Sequence, residues 1–438
     1  MDIINWEELS AQERIACLKR PAVDSADSVQ AIVSDIIKAI TERGDEALVE
    51  FAKKFDKCPD GNLKLTQDEI QAACERIDPA LKQAIDDAYI NIKKFHAAQE
   101  PCHVKVETVD GVVCQTATHA IEKVGLYVPG GSAPLVSTAL MLGVPAQIAN
   151  CEQVVLTSPY PLSDGIIYAA CKCGIKDIFK VGGAHAIAAL AYGTDTVPKV
   201  HKIFGPGNQF VTMAKRLVSE DPNGAAIDMP AGPSEVLVIA DAQADADFVA
   251  ADLLSQAEHG PDSQVILVSE SSDLLERTQK ALDEQLQLLP RKEIALKALS
   301  KSRLIKTKDL QEAIEISNTY APEHLIVQIA DPHAIVDKLR NAGSIFLGSY
   351  TCESMGDYAS GTNHTLPTYG YAKTASALGT DDFRRRYTIS CASAQGLRNI
   401  GPTVEILAAA EGLDGHKNAV TIRLNKIGRN SDQNSCNK

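Results

Sequence analysis

From Val124 onward the chain repeats one pattern: a short apolar run, a Gly-rich or polar turn, then a segment long enough for a helix. The runs are Val124 to Val128, Val154 to Leu156, Asp177 to Val181, Lys202 to Phe204, Val236 to Ile239, Val265 to Val268, Arg303 to Ile305, Leu325 to Ile329 and Ile345 to Leu347. Such alternation is that of parallel sheets with helices on their faces, so the fold class is α/β. Two sheets are expected rather than one. Pro230-Ala231-Gly232-Pro233 is the expected crossing between them, because two prolines and a glycine end helix and strand alike.

The flanks read differently. Val29, Ile32, Val33, Ile36, Ile37 and Ile40 fall at helical spacing, and Thr66 with Glu69 forms a capping box that opens another helix toward Gln99. Val104 to Ala120 alternates and turns at Asp110-Gly111, the chemistry of a tight hairpin. Beyond Asp381 the expectation is a helix carrying Arg384-Arg385-Arg386, a second amphipathic helix around Thr403 to Glu411, a strand over Ala419 to Leu424 and a frayed Asn- and Ser-rich tail.

At 438 residues the chain is long enough for two or three compact units. A net charge of -14 argues against nucleic acid or an anionic membrane as partner, since phosphate binding draws its affinity from Lys and Arg. No run reaches the roughly 20 apolar residues of a membrane span, and residues 1–21 resemble neither a signal nor a transit peptide, so a cytoplasmic location is expected. The 11 cysteines are odd in number and scattered, which favours reduced thiols. Cys171 and Cys173 are read as small buried hydrophobes rather than zinc ligands, since no second close pair accompanies them.

Residues able to hold a metal and move a proton recur at separated places: Gln256 and His259, Glu323-His324, Asp357 and His416. Gln256 and His259 are three apart at the end of a helix and project over one spot. Two ligands from one turn are insufficient, so Asp357 and His416, each beside a glycine, are the choices for the others. An imidazole with amide and carboxylate oxygens suits zinc first, with manganese or cobalt as substitutes. Taken singly, His259 could serve only a helix end and Asp357 only a cap. Glu323-His324 stands at a strand start, where imidazole can take a proton from an alcohol and a partly buried carboxylate can activate water. His364 either contacts substrate or satisfies its own loop. Gly130-Gly131, Gly182-Gly183 and Gly205-Pro206-Gly207-Asn208 each follow a strand and could receive an anion, but none completes the dinucleotide fingerprint.

Several longer segments resemble histidinol dehydrogenases: Leu126-Tyr127-Val128-Pro129-Gly130-Gly131, Phe204-Gly205-Pro206-Gly207-Asn208, Asp228 to Glu235, Leu254 to Gly260, Pro322-Glu323-His324-Leu325 and Asp357 to His364. The likeness runs from the N-terminal helices to His416-Lys417-Asn418-Ala419-Val420. It implies a zinc- and NAD-dependent enzyme that oxidises L-histidinol through L-histidinal to L-histidine, closing histidine biosynthesis, with one zinc per subunit. It also implies a homodimer whose C-terminal parts complete each other's sites. The domains it implies are an N-terminal helical segment (1–24), two incomplete Rossmann-like domains with parallel-rich sheets (25–123 with 235–380, and 124–234 on the NAD side), and a small helical C-terminal extension (381–438).

By position, the resemblance makes Gln256, His259, Asp357 and His416 the zinc ligands, which also touch substrate. Ser234, His324 and Glu411 are further substrate contacts, and Tyr127, His185 and Asn208 are the cofactor contacts. His324 is the base for alcohol oxidation and Glu323 activates water for aldehyde oxidation. One position departs from the family: His185 replaces the usual glutamine, and imidazole cannot both donate and accept as a primary amide does. Weaker or more pH-dependent NAD binding is the expectation. Two rival readings remain, a zinc hydrolase with Glu323 as general base and a non-catalytic metal-binding protein.

Overall fold

The computed structural model describes residues 1–21, 26–59, 61–130, 134–229 and 232–435. Pro230 and Ala231 of the expected sheet crossing, and Gly131, lie outside the described residues. By contacts the chain divides into two units, residues 1–99 with 121–383 and residues 100–120 with 384–438.

The first unit contains two parallel sheets. Its strands are β1 (Ile3–Asn5), β4 (Lys123–Tyr127), β5 (Gln153–Ser158), β6 (Asp177–Lys180), β7 (Lys202–Phe204), β8 (Ala226–Ile227), β9 (Glu235–Ala240), β10 (Gln264–Ser269), β11 (Arg303–Lys306), β12 (His324–Gln328) and β13 (Ser344–Leu347), while β2 (Lys105–Val109), β3 (Val112–Ala120) and β14 (Arg384–Ala392) belong to the second unit. All nine runs singled out in the sequence are strands. The six-stranded sheet has the order β1-β11-β10-β9-β12-β13 and the five-stranded sheet β6-β5-β4-β7-β8. In each, the chain moves outward from a central strand, β9 or β4, and then returns to that strand's other side. This reversal is the switch point at which open α/β sheets bind ligands.

Central strands here carry continuous apolar runs because both faces are covered. Every residue of β9, β10 and β12 is buried. Helix patterning is equally direct: Val29, Val33, Ile36 and Ile40 of the helix Ala26–Arg43 are buried in one cluster with Ile187, Leu190 and Val211. The Thr66–Glu69 capping box forms, and starts the helix Gln67–Arg76. The N-terminal segment, read from sequence as helical, also supplies β1, which pairs in parallel with β11. Among the described residues no helix is long and apolar enough to cross a membrane.

The second unit holds an antiparallel sheet of order β14-β3-β2, from β2 (Lys105–Val109), β3 (Val112–Ala120) and β14 (Arg384–Ala392), and the helices Ala394–Ala410 and Asp414–Ser435. The hairpin turns at Asp110-Gly111, where Gly111 has φ 78°. Two expectations fail here. Arg384–Ala392 is a strand because Arg386-Tyr387-Thr388-Ile389 can pair along β3, a long-range partner that local pattern does not reveal. Ala419 to Leu424 is helical: Val420 and Leu424, four apart, both meet Gly401 of the neighbouring helix, a contact of helical rather than strand period.

Candidate active site

Strand β12 begins at His324, which stands in register with Val236 of β9 on one side and Ser344 of β13 on the other. The Glu323-His324 pair therefore lies at the amino-terminal edge of the six-stranded sheet. The helix Ala246–Ala257 runs back along the sheet and ends at the same edge, where Gln256 reaches Glu323 and His324.

His324 is 3% exposed, and its two ring nitrogens have different surroundings. Nδ1 lies 3.1 Å from the Glu235 carbonyl oxygen, 3.6 Å from Glu323 Oε2 and 3.9 Å from Glu353 Oε1. A carbonyl can only accept, so Nδ1 carries the proton, and the Gln256 amide at 3.3 Å donates instead toward Glu323 Oε2. In the neutral ring Nε2 is then the nitrogen with the free lone pair. It has no hydrogen-bond partner among the described residues, with Asp357 Oδ1 3.4 Å away and not aligned as a bond.

Glu323 is also buried, and its Oε2 accepts the backbone N–H of Glu235 at 2.9 Å. Desolvation pushes its carboxyl up to about 8, against the pull of His324 and of that backbone bond. Burial alone would depress the His324 imidazole, but Glu353, Glu323 and Asp357 together hold it well above its ordinary value. Glu353 is raised by complete burial, while Asp357, though desolvated, is lowered by His324, His364 and His259.

A metal fits these residues. His259, Glu353 and Asp357 offer ligand atoms within 4.8 Å of one another. Gln256 is wholly buried, and its Oε1 has no hydrogen-bond partner among the described residues, a costly state for an amide oxygen unless something binds it. One imidazole with carboxylate and amide oxygens is a donor set for zinc or a similar dication. His259 itself has an exposed ring at the rim, yet enough surrounding protein that desolvation lowers its pKa, which favours the neutral, ligating form.

Asp357 stands in the short helix Glu353–Tyr358, and His364 braces it. Both ring nitrogens of His364 are engaged, Nδ1 with the Asp357 carbonyl at 2.9 Å and Nε2 with Thr138 Oγ1 at 3.1 Å, so this imidazole serves the loop. Ser234, half-buried, immediately precedes Glu235. Glu411 and His416 belong to the second unit, where both are exposed. Cys173 is buried, and Cys171 lies beside Cys74 with sulfurs 3.7 Å apart, consistent with packing thiols.

The other expected residues gather at the carboxyl ends of the five-stranded sheet. Tyr127 ends β4, and its hydroxyl accepts the Gly183 N–H at 3.2 Å. His185 is in the first turn of the helix Gly183–Tyr192, 1% exposed, with Nε2 2.9 Å from Asp56 Oδ2. Asp56 also takes the Gly182 N–H at 2.9 Å, so one carboxylate and one phenol hold the Gly182-Gly183 turn. A side chain at Gly182 would meet Pro159 at 2.3 Å, which requires glycine there. Asn208 follows β7 and caps the helix Gln209–Glu220, its Oδ1 accepting from Phe210 and Val211.

Sequence reading overlooked Glu353, Glu235 and Asp56. Glu353 carried a usable signal, lying four residues before Asp357 and so on the same helical face. Glu235 acts through its peptide group and Asp56 through a contact 129 residues distant, and neither leaves a local mark.

The family model described as histidinol dehydrogenase matches residues 18–424. The histidinol dehydrogenase of Campylobacter jejuni (strain RM1221) is 56% identical over 427 residues, covering 98% of this chain and all of that protein. That of Escherichia coli (strain K12) is 56% identical over 425 residues, covering 97% and 98%. A crystal structure of histidinol dehydrogenase from Elizabethkingia anophelis superposes with a TM-score of 0.94 at 47% identity, covering 98% of this chain and 99% of that one.

Proposed function

The chain belongs to the histidinol dehydrogenase family, enzymes that oxidise histidinol in histidine biosynthesis, and on that premise we propose how its own residues perform the reaction. The substrate is L-histidinol, oxidised through L-histidinal to L-histidine at the amino edge of the six-stranded sheet. The observation that carries the reading is the pairing at that edge of a buried imidazole with an unpartnered Nε2 and a buried carboxyl raised to about 8.

Gln256, His259 and Asp357 would hold zinc, joined by His416 from the second subunit of a homodimer; Glu353 stands close enough to share the charge. When bound, the ion supplies a template for the amino alcohol and positive charge that offsets Asp357 and lowers the neighbouring His324 imidazole. NAD supplies the hydride acceptor. We place it at the switch point of the five-stranded sheet, where Tyr127, Asn208 and the His185-held glycine turn converge. Ser234, His324 and Glu411 contact the substrate, with Glu411 suited to an ammonium or imidazole N–H.

In the first oxidation His324 Nε2 takes the proton of the substrate hydroxyl, while Nδ1 keeps its bond to the Glu235 carbonyl. Proton acceptance makes an imidazolium flanked by Glu323 and Glu353, which stabilise it. In the second, ionised Glu323 takes a proton from the water that attacks the aldehyde carbon. A base with a pKa near 8 is well matched to that task at physiological pH. Burial of both groups limits access of other water.

With L-histidinol and NAD, two equivalents of reduced nicotinamide should form for each histidine, and chelation should abolish both. The zinc-hydrolase reading predicts no nicotinamide reduction, and absence of reduction would overturn the dehydrogenase assignment.

A further inference from the structure

We infer that the Arg20–Glu235 ion pair is a positioning device that fixes the Glu323-His324 pair, an inference that rests on the catalytic reading above. Glu235 receives both side chains through one residue's peptide groups: its N–H holds Glu323 Oε2 at 2.9 Å and its carbonyl lies 3.1 Å from His324 Nδ1. The orientation of those groups therefore sets the orientation of both proposed bases.

Arg20 pins the Glu235 side chain with two parallel bonds, Nε to Oε1 at 2.5 Å and the terminal nitrogen to Oε2 at 2.8 Å. Such a fork resists rotation as a single lysine bond does not. The same guanidinium donates to the carbonyls of Tyr320 at 2.8 Å and Ala321 at 3.2 Å, and lies 4.0 Å over the Tyr320 ring. Those residues lead directly into Pro322-Glu323-His324. One cation thus ties the start of β9, which receives the two side chains, to the segment that delivers them.

The delivering segment needs this restraint. Ala321 has φ 55°, a left-handed conformation that costs a residue with a Cβ, and it persists only where its surroundings hold it. Tyr369 adds a second clamp, its backbone N–H on Glu235 Oε1 at 2.9 Å and its hydroxyl on the Pro21 carbonyl at 2.8 Å. The N-terminal segment is docked at the far edge of the same sheet by β1, which brings Arg20 to its place. Arg20 touches neither the proposed metal ligands nor the reacting atoms, so its effect on rate passes through Glu235 and the β12 lead-in.

The test compares Arg20→Met, Arg20→Lys, Glu235→Gln and the double variant Arg20→Met/Glu235→Gln as zinc-loaded dimers, with His324→Ala and Glu323→Gln as controls. The alcohol and aldehyde half-reactions are measured separately. For Arg20→Met and Glu235→Gln, kcat should fall about tenfold or more in both half-reactions, with KM for histidinol within about twofold and zinc content unchanged. Arg20→Lys should recover part of the loss. The single variants leave a buried charge unpaired and should lose thermal stability; the double variant removes both charges, so it should regain stability while kcat stays low. A double variant with kcat within twofold of the parent, while His324→Ala fails in the alcohol step and Glu323→Gln in the aldehyde step, overturns the positioning role and leaves the catalytic pair standing. Controls that keep full activity in those respective steps overturn both.

Discussion

The Nε2 of His324 and the Oδ1 of Asp357 face each other at 3.4 Å across the amino edge of the six-stranded sheet. The proposed proton acceptor and the proposed metal-binding carboxylate thus share one small volume. Whatever charge enters there is felt by both.

Without a metal, burial is outweighed by the carboxylates around His324, which raise its pKa and favour the protonated ring. A dication bound beside Asp357 reverses that balance and should release the proton. Zinc titration in buffers of different ionisation enthalpy should show this release, and it should be smaller by about one proton in His324→Asn. Equal release by the two proteins would contradict the assignment.

In the proposed mechanism Glu323 acts in its ionised form, and burial raises its carboxyl to about 8. Its ionised fraction is small at pH 6 and grows as the pH passes 8, so the aldehyde half-reaction should accelerate over that interval. In Glu323→Gln the remaining rate should lose this limb. Rates with histidinal as substrate, taken from pH 6 to 9.5, measure it.

The His185–Asp56 bond holds the turn at Gly182 and joins no group at the proton-transfer site. His185→Ala and Asp56→Asn should therefore raise KM for NAD several-fold, with kcat at saturating NAD within about threefold. A loss confined to kcat would place His185 in the chemistry instead.

His416 is exposed in its own unit, and the proposal gives it to the partner subunit's metal. Heterodimers of His259→Ala with His416→Ala subunits would then contain one site with every ligand. They should regain about half of the parental activity per dimer, whereas a ligand acting within its own subunit would leave both sites defective. Subunit exchange between the two inactive homodimers, followed by assay, separates these outcomes.

Much of this architecture is legible in the chain because buried parallel strands write their burial locally: Glu235–Ala240 and Gln264–Ser269 are apolar runs bounded by polar turns. Helical spacing predicts Gln256 and His259 as a pair; the helix Ala246–Ala257 carries Gln256 and ends two residues before His259, which lies instead within reach of Glu353 and Asp357. β14 was not legible, since its pairing with β3 spans more than 260 residues and its arginines suit a helix equally well. The work done by Glu235 was invisible for a different reason. Its peptide group, not its side chain, meets Glu323 and His324, and any residue type has a peptide group.

The division of labour between Glu323 and His324 is tested most directly by Glu323→Gln assayed on the two half-reactions. The account predicts histidinol oxidation within about threefold of the parent and histidinal oxidation lowered by about 100-fold or more, the loss expected when a general base is removed. Equal losses in the two steps would contradict it.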